Sequence, residues 1–304
     1  MPELPEVETV RSQLAAGLTG LSFLAVKQLE PFMLRDCIPD EVQRLLPGRR
    51  IERVEPFMLR DCAPSDVRTL LPGRRIQRVD RLGKFLIVVL DGGLFLTLHL
   101  GMTGQLLIDP GDDGTHTRFA FRLTGGAGSG RKRSRAVRLE FRDMRKFGRF
   151  HLTAGGPAPR LRLLGPDAWK GDWDAAYLES RLHGRLAPLK AFLLDQRHLA
   201  GIGNIYADEI LWWTGLSPLR AAGSLVEEQV SCLAGEIRLR LSEGVRLLGC
   251  SLSDFVDTEG HPGNFQEWLQ AYGRQGKECR RCGGTMVRTV VGGRGTAYCP
   301  DCQR

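Results

Sequence analysis

KFLIVVLDGGLFLTLHLGMTGQLLID, residues 84–109, alternates short runs of Val, Ile, Leu and Phe with glycine-bearing breaks. Such runs, closed by Asp-Gly-Gly and Gly-Met-Thr-Gly, are the pattern of β-strands joined by tight turns. The pattern continues through RFAFRL, AVRLEF and RFHL as far as Leu152. Repeated short strands at this spacing predict a β-sandwich or barrel. Two turns of the array carry side chains that a core does not explain. Met102 sits between Gly101 and Gly104 at a predicted hairpin tip, and Phe147 lies in RDMRKFGRF among Arg142, Arg145, Lys146 and Arg149. An aromatic ring and a methionine exposed among cations have the character of wedges that enter a base stack while the cations hold phosphates. For either turn alone, the side chain folding back onto the core is an equal reading.

Outward from this array the chain changes character. TGGAGSGRKRSRA, Thr124 to Ala136, is a basic loop within it. Ahead of it one segment is written twice: EPFMLRDCIPDEVQRLLPGRRIERV (30–54) is followed by EPFMLRDCAPSDVRTLLPGRRIQRV (55–79), with six mismatches. Each copy reads as a strand end, a Pro-started helix, a Pro-Gly stop and a strand. Two copies make a recent tandem duplication, since a solenoid needs three or more. AGGPAPR, Ala154 to Arg160, reads as a linker, and helical patterning then runs to about Tyr272. Within it, LLDQRHLAGIGNIYADEILWW predicts helix, glycine turn, helix, with Asn204 as the second helix's cap. Gly201 and Gly203 would leave backbone amides bare there for a phosphate oxygen. The expected domains are 1–153, a linker at 154–163, 164–272 and 273–304.

Composition narrows the function. Lys plus Arg total 43 against 35 acids, a net charge of +8 over 304 residues, which suits a polyanion, most economically nucleic acid. No run is apolar enough to span a membrane and no secretory leader is evident, so a cytoplasmic protein is expected. Cys279, Cys282, Cys299 and Cys302 form C-x2-C-x16-C-x2-C, the spacing of one tetrahedral structural zinc. Cys37, Cys62, Cys232 and Cys250 are expected to be reduced, buried thiols. Between TMVRTVV and TAY, the GGRG turn places Arg294 at a hairpin tip. The opening MPELPEVETV reads blandly as a helix start with acids near the positive end of the dipole. If Met1 is removed, it instead exposes Pro2 as a secondary-amine nucleophile.

PELPEVE, RLGKFL, LHLGMTG, DMRKFG, GIGNIYADEILW and RGTAYC, in this order, resemble the formamidopyrimidine-DNA glycosylase family, bacterial enzymes that excise 8-oxoguanine and ring-opened purines. The resemblance implies an α+β multidomain chain: an N-terminal β-sandwich with flanking helices, a helix-two-turn-helix domain and a C-terminal β-hairpin zinc finger. It implies that Pro2 attacks C1′ and displaces the base, and that β- and δ-elimination follow. A secondary amine yields an iminium with no N–H to lose, which remains a cationic electron sink. An α-amine titrates at about 7.7–8.0, so a useful fraction is unprotonated near neutrality.

By the same resemblance Glu3 is the general acid/base, Lys84 contacts phosphate and assists proton transfer, and Arg294 is the acid of the second elimination. Met102, Arg145 and Phe147 match the triad that fills the void left by the everted base. His99, His116, Lys146, Arg185, Lys190 and Asn204 count among the DNA contacts. DTEGHPGNF, 257–265, corresponds to the loop that closes over the extruded base. The implied partner is double-stranded DNA bearing oxidised purines or abasic sites, bound by a monomer on the nucleoid. Two departures from the family pattern stand out: Lys146 where arginine is commoner, which loses a bidentate fork, and the duplication. An endonuclease VIII-like pyrimidine glycosylase is the second reading, although that relative starts PEGPE and lacks the Arg145–Phe147 arrangement. A damage-binding protein without catalysis is the third.

Overall fold

The computed structural model describes residues 1–29, 64–111, 114–125 and 136–304. The first repeat copy, the start of the second, Cys37, Cys62 and most of the basic loop lie outside the described residues. The chain forms two compact units: Met1–Pro2, Glu6–Arg162 and Ser251–Gly263 make one, and Glu3–Pro5, Leu163–Cys250 and Asn264–Arg304 the other.

In the first unit, helix α1 (Leu4–Leu18) places Val7, Val10, Leu14 and Leu18 on one buried stripe. Two four-stranded antiparallel sheets follow, in the orders β1-β6-β7-β5 and β2-β3-β4-β8. Their strands are β1 (Leu21–Leu29), β2 (Ile76–Leu82), β3 (Phe85–Leu90), β4 (Leu94–His99), β5 (Gly104–Ile108), β6 (Thr117–Gly125), β7 (Val137–Asp143) and β8 (Arg149–Ala154). The core includes Phe119, Phe121 and Phe141 from one sheet with Leu86, Leu96, Phe150 and Leu152 from the other. Ring contacts such as Phe119–Phe150, 5.6 Å between centroids, join the two sets.

The second repeat copy supplies helix α2 (Pro64–Leu70) and the first part of β2, to Val79. Its Val67, Leu70, Leu71, Ile76 and Val79 are all in the core. Where side chains are described at positions that differ between the copies, namely Arg68, Thr69 and Gln77, they face solvent.

The Met102 turn, expected to be a hairpin tip, is not one, and the Phe147 turn is of the same kind. β4 and β5 belong to different sheets, as do β7 and β8, so the turns carrying Met102 and Phe147 are crossovers from one sheet to the other. Strand periodicity cannot distinguish the two, because both need the same glycine-bearing break.

The second unit contains helices α3 (Ala175–Leu182), α4 (Leu189–Leu194), α5 (Asn204–Thr214) and α6 (Glu227–Arg246), and the hairpin β9 (Val287–Val291) and β10 (Arg294–Tyr298). Tyr206, Ile210 and Leu211 pack with Leu233, Ile237 and Leu241. Helical structure ends earlier than the pattern suggested: beyond α6 only a short 3-10 turn, Phe265–Trp268, precedes the hairpin. Leu247 to Tyr272 is rich in Gly, Ser and Asp, which favour turns over helix. Cys250 is buried as expected, but Cys232 is exposed on α6.

Candidate active site and nucleic-acid interface

In the second unit the Glu3 carboxylate accepts the N–H groups of Ile205 (2.8 Å) and Tyr206 (3.4 Å), the first turn of α5. Asn204 is therefore not the cap; it is the first helical residue, and the N-cap position is Gly203. The capping acceptor comes from a carboxylate 202 positions earlier in the chain, where the helix dipole favours it. The two glycines allow this close approach. A Cβ on Gly203 would fall on the Glu3 carboxylate, and one on Gly201 would press on the Leu4 side chain. The Gly201 N–H is taken by Gln196 Oε1 at 2.8 Å, and Leu4 donates its own N–H to the Gly201 carbonyl. Sequence reading missed Gln196, whose side chain also donates to Leu194 and Ile202 and closes the turn.

Lys190 departs from its expected role. It is fully buried and pairs with Asp208 at 2.6 Å, while donating to Gly295 O and Thr296 Oγ1. An ammonium has three donors, and these partners use them, so Lys190 ties α4 to β10 just beyond the Gly292–Gly293 turn. Burial lowers its pKa and raises that of Asp208 to about 6. Asn204 donates to the same Gly295 carbonyl at 3.1 Å. Asn204, Asp208, Tyr272, Arg288 and Thr296 line a cavity of about 460 Å³. Arg294 opens β10 directly after the Gly292–Gly293 turn and is exposed. Arg185, after α3, is exposed too.

In the first unit Pro2 is buried and Met1 exposed. Lys84 follows Gly83 in the two-residue turn of the β2–β3 hairpin, where Leu82 pairs with Phe85. That turn is fastened to α1: Arg81 donates to Glu8 at 2.8 Å and to the Gly83 carbonyl at 2.9 Å. His99 pairs across the sheet with Phe85 on one side and Arg149 on the other. Its ring packs on Phe85, and its Nδ1 accepts the Gly101 N–H at 3.0 Å, which leaves the proton on Nε2. Burial, followed by the nearby charges of Lys84, Arg160 and Arg149, lowers its pKa to about 4. The imidazole is thus a neutral donor among cations. His116 is exposed at the head of β6.

The two crossovers meet. A Cβ on Gly101 would lie 2.6 Å from Gly148 N, so the turns touch through their backbones. Phe147 is 45% exposed and the Arg145 guanidinium stands 5.0 Å from its ring centroid; Met102, on the other crossover, is half-buried. Lys146 is exposed with φ +58°. The 257–265 segment is tied down in its first part: Gln13 of α1 bonds Asp257 and Thr258, and Thr258 O accepts the Ile108 N–H.

The Sγ atoms of Cys279, Cys282, Cys299 and Cys302 lie within 4.8 Å of one another. A tetrahedral zinc with Zn–S of about 2.3 Å needs sulfur separations of about 3.8 Å; Cys279–Cys302 is 3.7 Å and Cys282–Cys299 3.4 Å. The residues fit one structural zinc.

Family profiles match along most of the chain: the formamidopyrimidine-DNA glycosylase N-terminal domain over 1–57 and 53–150, the H2TH domain of the same glycosylase over 164–256, and the zinc finger found in FPG and IleRS over 276–304. A formamidopyrimidine-DNA glycosylase of Chloroflexus aggregans is 39% identical over 307 residues, covering all of this chain and 98% of the relative. The crystal structure of MutM (FPG) from Thermus thermophilus is 38% identical with a TM-score of 0.78, covering 99% of this chain and 98% of that one. A Lactococcus lactis FPG mutant in complex with Fapy-dG-containing DNA is 28% identical with a TM-score of 0.81, each chain covered completely. Sandwich, H2TH helices and tetracysteine hairpin together define a DNA glycosylase of base excision repair. The chain belongs to the formamidopyrimidine-DNA glycosylase family.

Proposed function

We propose that this chain excises oxidised purines, 8-oxoguanine and formamidopyrimidines, from double-stranded DNA and then cleaves the strand, with Pro2 as nucleophile once Met1 is removed. The observation that carries the reading is the seat of Glu3. Its carboxylate is buried and fixed on two backbone N–H groups of α5, immediately next in sequence to the nucleophile, as a general acid/base requires.

Pro2 nitrogen bonds C1′ as the glycosidic bond breaks and the base leaves with a proton. The C1′–O4′ bond then opens, with O4′ taking a proton and the Pro2 nitrogen losing its own, to give the iminium. Loss of the C2′ proton sends its electrons toward the iminium and on to expel the 3′ phosphate, loss of the C4′ proton likewise expels the 5′ phosphate, and water releases Pro2 from the remaining imine. Glu3 moves protons on the sugar, Lys84 and neutral His99 hold phosphate oxygens, and Arg294 protonates the last leaving group. Met102, Arg145 and Phe147 occupy the gap left by the flipped nucleotide. Lesion-bearing or abasic DNA is bound by the Lactococcus lactis relatives, and the net charge of +8 suits such a partner here. No described helix is long and apolar enough to cross a membrane.

Borohydride reduction during reaction with an 8-oxoguanine duplex tests this. A covalent adduct mapping to Pro2, and lost in Pro2→Gly or under an uncleaved N-terminal tag, is expected. An adduct on a lysine, with normal activity in the blocked protein, overturns the assignment.

A further inference from the structure

Asp143, the last residue of β7, is completely buried where the sandwich meets its two crossovers. Its Oδ1 accepts the Thr103 hydroxyl at 2.5 Å and the Arg145 N–H at 3.2 Å, and its Oδ2 accepts the Gly148 N–H at 2.7 Å. Thr103 Oγ1 in turn accepts the Arg145 N–H at 3.2 Å. One carboxylate therefore holds both ends of the 144–148 crossover and, through Thr103, the 101–103 crossover. A buried carboxylate is costly unless every lone pair is satisfied, and here the satisfying donors come from the two turns. The second crossover also packs closely on the core here, since a Cβ at Gly148 would strike the Phe141 ring.

We propose that Asp143, acting with Thr103, is a positioning residue that locks the two crossovers into one rigid plug, and so sets whether Met102, Arg145 and Phe147 enter the helix stack together. The proposal rests on the void-filling reading of those three side chains. A rigid plug matters only where there is a void: a flipped nucleotide in duplex DNA leaves one, whereas an abasic site in a single strand has no opposite base and no stack to fill. Asp143 touches no substrate, so its loss separates these two reactions.

The test compares Asp143→Asn, Thr103→Val and Thr103→Ser with the full-length protein. Single-turnover excision from an 8-oxoguanine:C duplex is measured beside cleavage of a single-stranded abasic site. Asparagine turns a donor toward an N–H, and valine removes the hydroxyl at nearly the same volume. Each is expected to slow duplex excision about tenfold or more, the loss of one or more charge-assisted bonds, while single-strand cleavage stays near the wild-type rate. Thr103→Ser restores duplex excision. Equal loss on both substrates, or no loss on either, overturns the proposal. If Asp143→Asn does not fold, Thr103→Val decides alone. Phe147→Ala separates the two layers: if it leaves duplex excision intact, the void-filling reading fails and the proposal with it. If it is impaired while Asp143→Asn and Thr103→Val are normal, only the positioning role fails.

Discussion

Arg294 and Arg145 both project from tight turns, but the turns are built by opposite means. The Arg294 turn is local: Gly292 and Gly293 adopt φ of +58° and +74°, five residue pairs zip β9 to β10, and the tetracysteine cluster holds the module. The Arg145 turn is non-local. Its ladder changes sheets, and its shape is set by a buried carboxylate shared with a turn some forty residues earlier. A turn made by metal and glycine is switched off by removing the metal. A turn made by a hydrogen-bonded staple loosens by degrees.

Zinc is the strongest lever on this contrast. Removing it, or making Cys299→Ser, should unfold the hairpin, because structural zinc in so small a module supplies about 10–16 kcal/mol of apparent binding energy. We expect DNA affinity to fall at least about a hundredfold, while the near-ultraviolet signal of the sandwich phenylalanines persists. Protein purified without chelators and found to lack zinc by elemental analysis would remove the distinction between the two turns.

A second contrast concerns glycines. Nothing lies within 4 Å of a Cβ on Gly293, whereas a Cβ on Gly203 meets the Glu3 carboxylate. Gly203→Ala should therefore displace Glu3 and slow base excision about a hundredfold, the scale of a lost general acid/base. Gly293→Ala meets only the backbone penalty of a positive φ, about 1 kcal/mol. Single-turnover rates for the two variants, with zinc content unchanged, check the prediction; similar losses in both would show that the Gly203–Glu3 contact is not what matters.

These differences also explain what could be read from the chain. The sandwich strands, the zinc ligands and the Arg294 turn are encoded by neighbours: alternation, C-x2-C spacing, Gly-Gly. The crossover character of the Met102 and Phe147 turns is invisible in sequence, because a glycine break does not say which sheet the next strand joins. The helix cap falls to Asn204 on sequence for the same reason. Asn204 satisfies the local rule for an N-cap, but the actual acceptor, Glu3, lies at the other end of the chain. Lys190 looks like a phosphate contact on resemblance, and only packing shows that Asp208 already holds it. Asp143 offers a weak signal, an acidic residue between Arg142 and the cations of the 144–149 turn.

Acid should distinguish the two turns more gently. His99 Nδ1 supports the Gly101 N–H of the first crossover, and the His99 pKa is lowered to about 4 by burial and neighbouring cations. The unfolded chain takes up its proton near the usual pKa of about 6.5, so between 6.5 and 4 the unfolded state binds more protons than the folded one. Stability from this group is complete above 6.5 and is lost as pH falls toward 4. Denaturant titrations at pH 7 and 5 should show a loss on acidification that is smaller in His99→Gln. The His99 ring signals should show no midpoint near 6.5; a normal titration there would mean that the ring is not held as a neutral acceptor.

The smallest effect expected is from the largest change. The core residues contributed by the second repeat copy, Val67, Leu70, Leu71, Ile76 and Val79, have identical counterparts in the first: Val42, Leu45, Leu46, Ile51 and Val54. Arg75, which donates to Asp91 and Gly20, is matched by Arg50. The exposed positions Arg68, Thr69 and Gln77 become Gln43, Arg44 and Glu52, changes of the kind that shift stability by about 0.5 kcal/mol or less. The family profile matches once through the first copy, to residue 57, and again from residue 53, so one copy satisfies the family pattern. Deleting Glu55 through Val79 joins Val54 to Asp80 and leaves Arg81, Gly83 and Lys84 in sequence, with their clamp to Glu8. Closure entropy changes by only about 0.6 kcal/mol per doubling of connection length. We therefore expect a folded, zinc-loaded glycosylase with 8-oxoguanine excision within about twofold of the parent, a change of under about 0.5 kcal/mol in the barrier. If the shortened protein folds and binds DNA but no longer cleaves the strand, the Lys84 turn depends on the second copy itself. It would then join the non-local class with the Arg145 crossover, and the insertion would not be neutral.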